Sequence, residues 1–213
     1  MAKPLLPEKV DRYLEDLVPP RARELAEMER EADRTGFPII GPTCGHFCYL
    51  MARLIGARQV FEMGSGYGYS TAWFARAVVE NGGGKVVHTV WDEDLSRRAR
   101  AHLSALGLEV VVEFRVEEAI QALREAAGPY DVIFLDIDKE GYPEALDAVE
   151  TKLRRGGVLL ADNLLMSGAV LDGRDRTART QAVRAFTRRI MESAGWIGSI
   201  VPQRDGLLVA SKL

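Results

Sequence analysis

Residues 59–70 read Gln59-Val60-Phe61-Glu62-Met63-Gly64-Ser65-Gly66-Tyr67-Gly68-Tyr69-Ser70. A short apolar run ends in a turn with glycine at alternate positions and passes directly into a helix-length segment near 69–80. A strand, a glycine turn and a helix in that order are how a parallel α/β sheet opens a nucleotide-type site. Three glycines let backbone approach a ligand closely, and the N-terminus of the next helix favours a carboxylate or phosphate. A plain tight turn needs only one glycine. The spacing is G-x-G-x-G, and Tyr69 stands where a dinucleotide fingerprint has its third glycine, which disfavours a nicotinamide or flavin ligand.

The alternation continues outward from this stretch. Strand-like runs at Gln59 to Met63, Lys85 to Trp91, Glu109 to Arg115, Asp131 to Leu135 and Val158 to Ala161 enclose helical segments near 69–80, 93–106, 117–126 and 142–153. Such a series predicts a parallel sheet with crossovers. A helix near 178–193 follows, then strands near 197–201 and 206–211, which the short turn Arg204-Asp205-Gly206 joins as an antiparallel hairpin. Upstream, residues 8–34 form two charged amphipathic helices parted by Pro19-Pro20. Val10, Leu14 and Leu17 make one stripe, Leu25 and Met28 another. A third helix follows Gly41-Pro42 and carries Phe47, Leu50, Met51 and Leu54 as far as Gly56. The expectation is one domain over 1–213, with 1–40 a helical extension and no internal repeat.

The chain has 213 residues, 47% hydrophobic and 28% charged, the composition of a globular protein rather than a disordered one. Lys plus Arg is 28 against 31 Asp plus Glu, without a basic block, so nucleic acid is not an expected partner. No run reaches the roughly 18 apolar residues of a membrane span. Lys3, Glu8, Lys9, Asp11 and Arg12 leave no room for a signal peptide, so the expected compartment is cytoplasmic. Cys44 and Cys48, four apart on one helix, suit reduced thiols, and His46, His88 and His102 are too scattered for a zinc site. The final Ser211-Lys212-Leu213 matches a peroxisomal address, but the frayed end of a last strand at 207–210 is the favoured reading.

Ligands in open parallel sheets bind beyond the carboxyl ends of the strands. There the sequence places Leu135-Asp136-Ile137-Asp138-Lys139 and Ala161-Asp162-Asn163. Asp136, Asp162 and Asn163 would gather oxygen donors suited to a hard cation such as magnesium or calcium. Taken singly, each also fits a turn or a helix cap, and Asp138 reads as a cap or a supporting residue.

Together with Glu62–Ser70 and Asp205-Gly206-Leu207, these segments resemble the cation-dependent, S-adenosylmethionine-dependent O-methyltransferases, the group of catechol and caffeoyl-CoA O-methyltransferases and their small bacterial relatives. The resemblance runs from about residue 41 to the end. It implies a doubly wound, seven-stranded, mostly parallel sheet with one antiparallel strand, of Rossmann-like methyltransferase type, behind N-terminal helices. It implies that Glu62, Gly64 and Ser70 line the methionine part of S-adenosylmethionine, with Ser65, Gly66 and Tyr67 also at the donor. Trp91 and Ala119 would lie at the adenine, with Asp92 and Asp136 also at the donor. Asp136, Asp162 and Asn163 would hold a divalent ion, Mg in the simplest case, and Lys139 would be the general base. The ion would chelate two vicinal oxygens of a phenol and lower the pKa of the attacking hydroxyl. The N-terminal helices of relatives cover the site and help form a homodimer.

One position departs from the pattern. Where the family has an acid at the end of the second strand for the ribose hydroxyls, this chain has Val90. Asp92 could take over, or could belong with Glu93 and Asp94 to an acidic first helical turn in which Asp94 caps. Trp91 could stack on adenine or fill core, and Met166, where the family often has Trp, could be a pocket wall or core. Lys139 could also be an ordinary solvated lysine. Two other functions compete: a nucleotide-dependent oxidoreductase, disfavoured by Val90 and Tyr69, and a non-catalytic or altered-cofactor nucleoside-binding relative, disfavoured by the retained Asp136, Asp162, Asn163 and Lys139.

Overall fold

A computed structural model describes residues 6–213, so Lys3 of the charged start lies outside the described residues. Three helices come first: α1 (Glu8–Asp16), α2 (Arg23–Thr35) and α3 (Gly41–Leu54). The alternating part then runs β1 (Gln59–Met63), α4 (Tyr69–Glu80), β2 (Lys85–Val90), α5 (Glu93–Ala105), β3 (Val112–Val116), α6 (Ala119–Glu125), β4 (Tyr130–Leu135), α7 (Tyr142–Lys152) and β5 (Leu153–Ala161). Last come α8 (Ala178–Met191), β6 (Trp196–Val201) and β7 (Leu207–Lys212). The strands form one seven-stranded sheet in the order β3-β2-β1-β4-β5-β7-β6, and only β7 runs antiparallel to its neighbours.

Side chains of a strand alternate between faces, and the sequence uses both faces for core. Val60, Val132 and Val158 pack with Trp73 and Phe74 on the α3–α4 side, while Phe61, Ile133 and Leu159 pack with Leu146 and Phe186 on the α7–α8 side. Double burial accounts for continuous apolar strands rather than alternating ones. The order reverses between β1, which leads out to β2, and β4, which leads to β5, so the crevice of a doubly wound sheet opens there.

Several predicted boundaries move. Residues Glu109–Val111 form a short 3-10 turn before β3. β2 ends at Val90, not Trp91. β5 begins at Leu153 rather than Val158, because the register with β4 jumps from Tyr130–Leu153 to Val132–Val158 and Arg154-Arg155-Gly156-Gly157 bulges between. The chain end is not frayed: Ser211 and Lys212 pair within the sheet, and the Lys212 ammonium donates to the Glu150 and Leu153 carbonyls.

Candidate active site

Backbone hydrogen bonds carry the sheet past its strand ends and fix the loops in a row. Ser65 donates to the Thr89 carbonyl at 2.9 Å, Asp136 to Met63 at 2.9 Å and Asp162 to Leu135 at 3.1 Å. The loops after β2, β1, β4 and β5 therefore stand side by side, which brings residues 90–92, 62–70, 136–139 and 162–163 to one rim.

The glycine loop differs from its expected use. Gly64, Gly66 and Gly68 have φ of 89°, 50° and 91°, conformations that L side chains rarely adopt. A Cβ on Gly64 would run into the Asp136 carbonyl oxygen, and one on Gly68 would stand 2.9 Å from Ala99 Cβ. The close approach that requires these glycines is thus to the chain itself. Tyr67 also faces inward: its hydroxyl donates to the Met28 carbonyl at 2.9 Å and its ring lies under the Arg98 guanidinium, which docks α2 on the loop. Only its backbone remains for a ligand.

Glu62 is the unusual group here. It is fully buried, and neither carboxylate oxygen closes a hydrogen bond within the described residues. Burial pushes its pKa up to about 7, although the nearby Ser70, Thr71 and Ser65 hydroxyls pull it part of the way back. An orphaned buried carboxylate is costly unless a ligand donor completes it. Ser65 Oγ accepts from Thr89 N–H at 3.1 Å, and Ser70 is buried in the first turn of α4.

Beyond β2, Val90 is buried and aliphatic. Trp91 is 74% exposed, which removes the core reading. Asp92 is the helix cap, its Oδ1 accepting from Leu95 N–H at 2.9 Å, so the cap falls to Asp92 and not to Asp94, which pairs with Arg97 in the following turn. Ala119 is buried at the start of α6, where the Glu118 carboxylate accepts from Ile120 and Gln121 N–H.

At the β4 and β5 ends the acids converge. Asp162 is buried, and its pKa rises to about 7 through loss of water and the neighbouring Asp136 charge. Lys139 is not a solvated lysine: it is buried, donating to Asp136 Oδ1 at 2.8 Å, the Tyr142 hydroxyl at 2.8 Å and the Ile137 carbonyl at 3.2 Å. The Tyr142 hydroxyl in turn donates to the Asp162 carbonyl at 2.8 Å. Asp138 is exposed and caps nothing with its side chain. Asn163 sits at φ 62°, a left-handed position that Asn tolerates, and its N–H donates to Asp162 Oδ1. Among the described residues no group of three His, Cys, Asp or Glu is placed to hold a metal. An ion here would rest on two carboxylates, the Asn163 amide and water, a donor set that suits magnesium.

A cavity of about 490 Å³ opens beside Lys139 and Asn163 and is walled by Met166, Ala169, Thr180 and Asp205. Met166 is both wall and core, since it is partly buried against the α7–α8 cluster. The wall loop is held from two sides. Asp205 accepts from Ser167 N–H, and the Arg184 guanidinium donates to the carbonyls of Ala169, Val170, Asp172 and Asp175 at 2.6–3.1 Å. Tyr142 and Arg184 are not marked in the sequence. Neither stands at a strand end, and a tyrosine or arginine on an amphipathic helix carries no local signal.

Residues 20–213 match the sequence model of a family described as O-methyltransferase. The chain is 31% identical over 214 residues, 95% of its length and 96% of the relative's, to the catechol O-methyltransferase of Niastella koreensis. It is 32% identical to that of Mycobacterium tuberculosis, covering 84% of this chain and 82% of the relative. The O-methyltransferase of Bacillus cereus in complex with SAH superposes with a TM-score of 0.87 at 29% identity, over 96% of this chain and 97% of the other. TomG from Streptomyces achromogenes, in complex with SAM, superposes at 0.86 with 27% identity, over 96% of each chain.

Proposed function

The chain belongs to the O-methyltransferase family, and from that premise we propose that it moves the S-adenosylmethionine methyl group to a hydroxyl of a catechol-like or hydroxycinnamoyl-type phenol with a divalent cation, Mg in the simplest case. The observation that carries this is the pairing, on one rim, of an orphaned buried carboxylate at the glycine loop with a two-carboxylate, one-amide cluster beside a cavity.

The donor fits the first half of the rim. Glu62 supplies two acceptors that the fold leaves empty, suited to an ammonium such as the one on the methionine end of the donor. Gly64, Ser65, Gly66 and Tyr67 offer backbone, and Ser70 a hydroxyl at a helix start. Trp91, exposed beyond β2, offers a flat apolar face to a base, and Ala119 stands at the start of α6 after β3. Asp92 keeps one carboxylate oxygen beyond the one used as cap, in place of the acid missing at Val90. When bound, S-adenosylmethionine supplies an electrophilic methyl on a sulfonium.

The ion fits the second half, through Asp136, Asp162 and Asn163. When bound, it lowers the pKa of a coordinated hydroxyl and fixes the phenol in one orientation. Lys139 then takes the hydroxyl proton. In the described structure all three of its hydrogens have acceptors, and the strongest of these, Asp136, is a carboxylate that the ion also needs. Sharing Asp136 with an ion would loosen that hold and leave the lysine nitrogen free to face the hydroxyl. Tyr142 keeps Lys139 beside the cavity. Met166 and Ala169 give the phenol ring an apolar wall.

The helical layer ahead of the sheet fits a homodimer contact, since Tyr13 on α1, Leu17 just after it and Leu54 on α3 are exposed apolar residues. No helix among the described residues is long and apolar enough to cross a membrane.

The experiment is transfer of a labelled methyl group from S-adenosylmethionine to caffeate and to catechol with Mg²⁺. A monomethylated phenol is expected. Protein that binds S-adenosylhomocysteine yet methylates neither phenol contradicts the acceptor class.

A further inference from the structure

Arg204 stands in the turn between β6 and β7, one residue before Asp205 in the cavity wall. Three features of its placement work against stability. Its backbone is left-handed, φ 50°, which a residue with a long side chain adopts at a cost. Its guanidinium lies against Gly41 in the first turn of α3, so near that a Cβ at Gly41 would collide with its terminal nitrogen. The first turn of a helix is its electropositive end, where a cation is repelled. Among the described residues no carboxylate closes an ion pair with Arg204; Glu15 on α1, Asp162 and Asp205 lie near enough to feel its charge, yet burial still holds each of their carboxyls above the usual range.

A guanidinium kept partly buried, without a partner, in an uncommon backbone conformation and against the left-handed Gly41 is poised for something that arrives. An anion lying against it relieves both the missing partner and the repulsion from α3. The nearby acids do not serve in this way. Asp205 already accepts from Ser167 N–H and Asp162 from Asn163 N–H, and neither closes on the arginine. Its place in the chain, next to Asp205 in the cavity wall, puts it on the acceptor side of the rim.

We propose that Arg204 is a specificity-determining residue that reads an anionic group of carboxylate type on the methyl acceptor, so that the enzyme prefers an acidic phenol to its neutral counterpart. This rests on the phenol O-methylation reading above and deepens it. A carboxylate has a second possible source, the methionine end of the donor, and the experiment separates the two.

The probes are caffeate and its neutral twin methyl caffeate, which share the catechol ring and side chain and differ in the acid. Binding of each is measured by calorimetry on protein saturated with S-adenosylhomocysteine and Mg²⁺, for the unaltered chain, Arg204→Gly and Arg204→Lys. Glycine suits φ 50°, so Arg204→Gly removes the charge without a folding penalty. The unaltered protein is expected to bind caffeate about tenfold or more tightly than methyl caffeate. Arg204→Gly abolishes that ratio by weakening caffeate alone, Arg204→Lys restores part of it, and affinity for S-adenosylhomocysteine stays within twofold.

Equal affinity of the unaltered protein for the two phenols overturns the proposal. So does an equal weakening of both in Arg204→Gly, which makes the arginine a balance for the acidic cluster. Loss of S-adenosylhomocysteine affinity assigns the carboxylate to the donor and overturns it too. So does a preference that survives Arg204→Gly but falls with Arg179→Gln on the α8 side of the cavity. A binding preference that follows Arg204 while neither phenol is methylated supports this inference and removes the acceptor reading instead.

Discussion

Lys139 donates to Asp136 Oδ1 at 2.8 Å, an ion pair three residues apart in which the lysine is almost wholly buried. Tyr142 holds the same ammonium from below, bonded at once to Lys139 and to the Asp162 carbonyl. One hydroxyl therefore couples the proposed base, Lys139, to the backbone of Asp162, a proposed ion ligand. Tyr142→Phe leaves a buried lysine hydrogen and a buried carbonyl short of a partner, at about 1–3 kcal/mol. The expected result is a Tm lower by several degrees and a kcat reduced about tenfold, with S-adenosylhomocysteine affinity unchanged; thermal melts, calorimetry and steady-state kinetics check it.

Glu62 sets a pH dependence of the unliganded protein. Its folded pKa, about 7, lies above its ordinary 4.5. The folded state therefore holds the proton more tightly than the unfolded state, and this contribution is complete below about pH 4.5 and is lost as pH rises through 7. The shift corresponds to stability on the order of 3 kcal/mol. Asp162 works in the same direction. Glu62→Gln is expected to flatten the fall in unfolding free energy between pH 5 and pH 8, while weakening S-adenosylhomocysteine by about tenfold to a hundredfold. Denaturant titrations across that range, with calorimetry at one pH, measure both.

Arg184 holds the cavity wall through four carbonyls and has no contact with the acid cluster. Releasing it by Arg184→Met is expected to raise the acceptor KM about tenfold while kcat and donor affinity change little, since lost wall order is a cost of binding the phenol rather than of transferring the methyl. A matching fall in kcat argues that the loop also sets the reacting geometry.

At Val90 the side chain cannot accept from ribose hydroxyls. Val90→Glu is expected to tighten S-adenosylhomocysteine about tenfold in calorimetry and to destabilise the unliganded protein, because the position is buried. Unchanged affinity indicates that Asp92 already meets the ribose.

The order of elements was readable because apolar runs of strand length alternate with amphipathic segments, and the Arg204-Asp205-Gly206 turn marked the antiparallel β7. Boundaries slipped where tertiary pairing decides: no local signal marks Arg154–Gly157 as a bulge, since it exists only in register with β4. Residues after strand ends were found because topology alone carries Asp136, Asp162 and Lys139 to the rim. What sequence could not yield was direction. Gly64, Gly68 and Tyr67 face the protein, Trp91 faces solvent and Asp92 caps a helix, each settled by packing across distant elements. Tyr142 and Arg184 owe their roles to carbonyls far along the chain.

An ion at Asp136, Asp162 and Asn163 beside a bound donor is to be sought in crystals grown with S-adenosylhomocysteine and Mn²⁺, with anomalous scattering recorded at the manganese edge. A single strong peak between the Asp136 and Asp162 carboxylates, with Lys139 drawn away from Asp136 and the donor's amino group on Glu62, is the predicted result. A bound donor with no anomalous peak at those carboxylates, under Mn²⁺ concentrations that support turnover, contradicts it.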